Sequence, residues 1–288
     1  MIDALQDMLS YQFNQRALLA AVMIGFLNGY TGGYVVLRRG ALFAGALSHT
    51  LFPGIAVGAL IAGLNPYSAL IGAFVMALVV GLGSQGVAAH SRVDREAVMA
   101  ILYTAATAGG LLVLERLGTY VRVEDYLFGN ILRVSNWDLW FVYLAGFIVL
   151  STLILFQRPL LIFIFSNNLA ASYGLSVRLM DYLLAALVVI TMVTSLQAVG
   201  ALLAIGLLVA PAATMYLFSD RPAVILWGGG IAGVVISVGA VVITNIADLQ
   251  TGAVMVILLA AFFLVGFLAS PRYGLPGSLR ARRKPVDS

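Results

Sequence analysis

The sequence predicts an all-α polytopic membrane protein, a bundle of about nine (8–10) transmembrane helices. Three observations carry that expectation. Apolar residues fill 62% of the 288 positions and charged residues only 10%, where soluble domains average about 25% charged. No formal charge falls between Arg39 and Arg92, or between Asp181 and Asp220, so long runs can enter hydrocarbon without burying an ion. The remaining charges gather in short patches between those runs.

Taken in order, residues 1–16 carry Asp3 and Asp7 where a cleavable signal has a positive n-region, and they read as an interfacial helix. Spans are expected over 17–37, 41–62, 66–88, 97–115, 138–157, 181–198, 200–218, 222–245 and 252–269. The division at Gly200 is the weakest, because two apolar runs meet there with almost no loop. Residues 117–137 are too polar to cross and suit a short surface helix; 270–288 form a basic tail. No stretch reads as a soluble module, so residues 1–288 are expected to form a single transmembrane domain.

Within the spans, Gly25, Gly29 and Gly33 recur every four residues, a spacing that lets helix backbones approach closely in lipid. Pro53 and Pro211 fall inside spans, where each removes a helical hydrogen bond and is expected to kink or break its helix. Loop arginines set the orientation. Arg38, Arg39, Arg92, Arg95, Arg158, Arg178, Arg221, Arg272, Arg280, Arg282, Arg283 and Lys284 collect on one side; Arg16, Arg116, Arg122 and Arg133 collect on the other. The richer side is expected in the cytoplasm together with the C-terminus, leaving the N-terminus outside. The net charge of +4 follows this topology and does not point to nucleic acid.

Several chemistries are excluded. The absence of cysteine removes disulfides and thiolate metal sites. A P-loop needs a lysine after its glycine-rich turn, and the only lysine is Lys284 in the tail. Almost no acidic or basic residue lies within a span, as an ion-coupled carrier would require. The exception well inside a span is His49, flanked by Ser48 and Thr50 and followed by Pro53-Gly54. A polar break there suits a path-lining site; a satisfied structural histidine is the alternative. His90 sits beside Ser91 and Arg92 at a span end and is expected to be solvated.

The segment VVLRRGALFAGALSHTLFPGIAVG (35–58) resembles the signature region of the ABC-3 family, the permease subunits of bacterial ABC importers for manganese, zinc and iron. REAVMAILYTAATAGGLLVL (95–114), VEDYLFGNILRVSNWDL (123–139), NNLAASYGLSVRLMDYLL (167–184) and SLQAVGALLAIGLLVAPAATMYL (195–217) resemble further family segments in the same order. The resemblance implies a type II ABC importer-like permease in a bacterial inner membrane. It implies a second permease copy, identical or different, a cytoplasmic ABC ATPase dimer and an extracytoplasmic metal-binding protein. It implies no permanently bound cofactor, only a transported divalent metal ion, with ATP hydrolysis by the separate partner. The segment Asn167–Gly174, with Asn167, Asn168, Ala170 and Gly174, is similar to the family's ATPase-coupling helix, and Gly174 suits a helix C-cap.

One departure bears on the metal site. The family signature usually carries an acid four residues before the histidine, one helical turn away on the same face. Here that position is Gly45. Transient binding by His49, Ser48, Thr50 and backbone carbonyls, an acid supplied by a different partner permease, and a cargo other than a bare cation all remain open. Outside the importer class, the competing readings are a stand-alone carrier driven by an ion gradient and a non-conducting partner subunit.

Overall fold

The computed structural model describes residues 11–63, 65–117 and 135–271. The expectations for the first ten residues, for most of 117–137 and for nearly all of the basic tail lie outside these. So do Arg122, Arg133, Arg272 and the arginines and lysine beyond, which the orientation argument used.

Among the described residues the only regular structure is helical. The helices are α1 (Gln12–Leu37), α2 (Ala41–Ala62), α3 (Pro66–His90), α4 (Arg95–Leu117), α5 (Asn136–Leu155), α6 (Gln157–Phe165), α7 (Asn167–Ser172), α8 (Val177–Val199), α9 (Ala201–Phe218), α10 (Pro222–Ala247) and α11 (Thr251–Ala269). Eight of these are long and apolar enough to cross a bilayer, and the apolar stretch of α9, Leu203–Phe218, is shorter. The chain is thus a multi-pass membrane protein, and each expected span has its helix.

Local chemistry fixes the ends. Asn65 accepts from the Ser68 amide at 2.8 Å while the Ser68 hydroxyl faces the Asn65 amide, and Pro66 supplies a preset φ at the first turn of α3. Ser135 and Asp138 form the same reciprocal cap on α5. Several boundaries depart from expectation, among them the start of α8 at Val177 instead of 181. α1 begins at Gln12, so residues 12–16 run straight into the first span. α5 stops at Leu155 because the chain turns at Phe156 into α6, whose nine residues are too few to cross a membrane.

α8 and α9 are joined by Gly200 alone, whose φ of 86° and ψ of 161° lie in a region open essentially to glycine. Pro53 and Pro211 lie inside helices that continue past them, so neither breaks its span.

α1 is the interior helix: 72% of its membrane window is buried, against 17% for α4 at the periphery. It reaches that depth through glycine. A Cβ on Gly25 would stand 2.5 Å from the Gly233 carbonyl oxygen of α10, and Gly29 meets Gly229 backbone to backbone. Gly33 packs on Leu226, so the expected close-approach face is filled by one neighbour over about two turns. On its other side α1 bonds to α8, where Asn28 donates to Ser195 Oγ at 2.6 Å and Thr31 and Thr191 share a hydroxyl bond at 3.4 Å.

Candidate functional site

α2 and α4 run side by side in the same direction. They touch where Pro53 of α2 seats on Gly110 of α4; a Cβ on Gly110 would lie 2.5 Å from the Pro53 Cβ. Between that contact and the end carrying Arg38 and Arg95 there is a cavity of about 530 Å³. Its walls come from the first turns of α2 (Gly45, Ala46, His49), of α4 (Arg95, Met99, Tyr103) and from α8 (Ala185, Val188). From Ala41 to His49 the cavity follows α2 for ~12 Å, at 1.5 Å per residue.

His49 is exposed into this cavity, and its ring stacks on Tyr103 with centroids 5.9 Å apart and planes 28° apart. Pro53 has no N–H, so the His49 carbonyl loses its ordinary helical donor. An imidazole nitrogen and a freed backbone oxygen thus belong to one residue, donors that suit Mn, Zn or Fe(II). Gly45 sits one turn earlier on the same wall, and a Cβ built there meets nothing within 4 Å. The space for the missing carboxylate is present. Among the described residues no three His, Asp or Glu side chains converge.

Ser48 and Thr50 are placed otherwise. Both are buried, and their hydroxyls donate to the Gly45 and Leu47 carbonyls at 2.8 and 2.7 Å. Successive helical residues point about 100° apart, so the neighbours of a cavity-facing His49 turn into the bundle, and neither lines the cavity. His90 is exposed, as expected, with its Nδ1 2.8 Å from the Gly86 carbonyl.

The mouth of the cavity is a charge cluster. The Asp181 carboxylate at the start of α8 pairs with Arg38, which caps α1, and with Arg95, which opens α4, the latter at 3.2 Å. The Arg95 guanidinium lies 4.2 Å from the Phe43 ring centre and that of Arg38 4.9 Å from Phe163.

On the same end of the bundle, α7 is capped by Ser166, which accepts from the Leu169 amide at 3.2 Å. It ends in a Schellman turn, with Leu175 N–H on the Ala170 carbonyl at 3.0 Å, Gly174 N–H on Ala171 at 2.9 Å, and Gly174 at φ 73°. Asn167, Asn168 and Leu169 face outward, whereas Ala170 is fully buried in the apolar cluster that also holds Phe163 and Met180. Ala170 therefore anchors α7, and its exposed neighbours form the surface.

Tyr103 and Asp181 were not read as site residues from sequence, and Arg38 and Arg95 entered only the orientation argument. Arg95, Met99 and Tyr103 at i, i+4 and i+8 mark one helix face and are a usable signal.

A bundle of membrane-crossing helices with a cavity between its spans defines a polytopic helical membrane protein. The family model described as the ABC 3 transport family matches residues 10–270, and the chain belongs to that family. It is 35% identical to a manganese transport system membrane protein, MntC, of Halalkalibacterium halodurans over 93% of this chain and 91% of that one. It is 32% identical to a probable iron transport system membrane protein of Haemophilus influenzae over the full length of both. Among solved structures, PsaBC from Streptococcus pneumoniae in complex with Fab superposes with a TM-score of 0.82 at 29% identity, over 95% of this chain and 98% of that one.

Proposed function

We propose that this chain is the transmembrane permease subunit of an ATP-driven importer that carries a divalent transition metal into the cytoplasm. The carrying observation is His49: a lone imidazole open to a cavity between spans, with a freed carbonyl and an open turn at Gly45 beside it. Metal-transport relatives at comparable length support the cargo class. Two permease copies, an ABC ATPase dimer and an extracytoplasmic metal-binding protein complete the transporter; the chain itself hydrolyses nothing. The arginine-rich end, with Arg38, Arg39, Arg92 and Arg95, lies in the cytoplasm, and the exposed side of α7 (Asn167, Asn168, Leu169) with Gly174 receives the ATPase. Gly45 favours one second reading, in which a non-identical partner permease contributes the acid.

Co-reconstitution tests the proposal. The permease and its ATPase in proteoliposomes, with the binding protein on the receptor side, are expected to take up Mn²⁺, Zn²⁺ or Fe²⁺ only when ATP is supplied. Uptake by the chain alone under a proton or sodium gradient would replace the importer with a carrier. Uptake by the homomeric complex sinks the heteromeric reading.

A further inference from the structure

The cavity that holds His49 opens past arginines, an unwelcoming exit for a cation. Arg38, Arg39 and Arg95 line it with one acid, Glu96. Asp181 stands behind that wall, outside the lining, and one of its oxygens meets both the Arg38 and the Arg95 guanidinium. Phe163 and Phe43 support the two guanidiniums, leaving the pairs anchored at their outer ends on α8 and flanked by rings. Three elements that begin or end at this mouth, α1, α4 and α8, are thus joined through one carboxylate.

We propose that Asp181 is a positioning residue for cation passage: it draws the Arg38 and Arg95 guanidiniums to the cavity wall and offsets their charge. This rests on the metal reading of the same cavity. With Asp181 counted, the mouth has a net charge of one positive unit; without it, two. An uncompensated guanidinium near a divalent ion raises its free energy by enough to slow passage roughly tenfold or more at this partly hydrated depth. α1 and α8 are also joined by apolar packing, in a buried cluster that holds Val35, Met180 and Leu184.

The charge account and a purely structural account predict opposite signs for removing the two partners. In proteoliposomes holding the full complex, Asp181→Asn is expected to lower ATP-driven Mn²⁺ uptake roughly tenfold, with partial recovery as salt rises and screens the arginines. Arg95→Gln with Asp181 intact is expected to keep or raise uptake. The double variant Asp181→Asn/Arg95→Gln is expected to return to within about twofold of the unmodified rate, since its charge balance matches. If Arg95→Gln loses uptake as Asp181→Asn does, or the double variant stays at the Asp181→Asn level, the triad is a scaffold and the inference is overturned. Wild-type uptake by Asp181→Asn overturns it alone. No Mn²⁺, Zn²⁺ or Fe²⁺ uptake by the unmodified complex overturns the metal reading and this inference with it.

Discussion

Replacing Gly45 by aspartate restores the acid that the family signature usually carries four residues before the histidine. The backbone tolerates the change, because a Cβ at Gly45 meets nothing within 4 Å and aspartate is no worse a helix former than glycine. The new carboxylate lies one turn from His49 on the same cavity wall. Two unit charges 4 Å apart attract by about 4 kcal/mol at an effective dielectric near 20, so a divalent ion gains about 8 kcal/mol. Desolvating the carboxylate and the ion takes back most of this. A residue of about 1.5–3 kcal/mol corresponds to roughly ten- to a hundredfold tighter retention. Equilibrium dialysis of the purified permease in nanodiscs, read by elemental analysis, measures it. Gly45→Asn is the neutral control of the same shape. Metal retention equal in Gly45→Asp and Gly45→Asn would refute the reasoning, as would a gain in Gly45→Asp that survives His49→Ala.

Four further outcomes are expected. Gly29→Leu forces a side chain into the Gly229 backbone and should destabilise the bundle by about 1–3 kcal/mol or prevent assembly, seen as loss of the monodisperse peak in detergent. Ser195→Ala removes one of the two acceptors of the Asn28 amide, the other being the Ile24 carbonyl, and should cost about 1 kcal/mol, read as a lower midpoint in thermal unfolding. Gly174→Ala strains a left-handed turn by about 1–2 kcal/mol and should weaken ATPase binding, with Mn²⁺ retention unchanged. Leu169→Glu, on the exposed side of α7, should likewise weaken ATPase binding while leaving the permease folded, as judged by pull-down and by the same thermal midpoint.

Much of this fold was legible because lipid imposes one-dimensional rules. Uncharged runs of span length became helices α1 to α5 and α8 to α11. Gly25, Gly29 and Gly33 announced a close contact, and the structure supplied its partners, Gly229 and Gly233. Gly174 was read as a C-cap and closes a Schellman turn. α6 was missed because Gln157, Arg158 and Pro159 read as the end of a span, and the six apolar residues after them are too few to announce a helix of their own. The site was half legible. His49 stood out by being ionisable in an apolar run, and Gly45 through the family resemblance, as the position where the signature usually carries an acid. The stacking of Tyr103 on His49 joins two different helices, and the pairing of Asp181 with Arg95 spans 86 residues of chain. A single sequence gives the period of each helix face, and those two contacts depend on how faces are rotated against each other.

The central claim, that metal passes along the cavity at His49, can be tested in a background that is already free of cysteine. A single Gly45→Cys substitution places one thiol on the open cavity wall, where a charged methanethiosulfonate reagent can be attached. In proteoliposomes with the ATPase, modification is expected to abolish ATP-driven Mn²⁺ uptake, and Mn²⁺ present beforehand is expected to slow labelling. Full uptake by the completely modified protein would contradict the account.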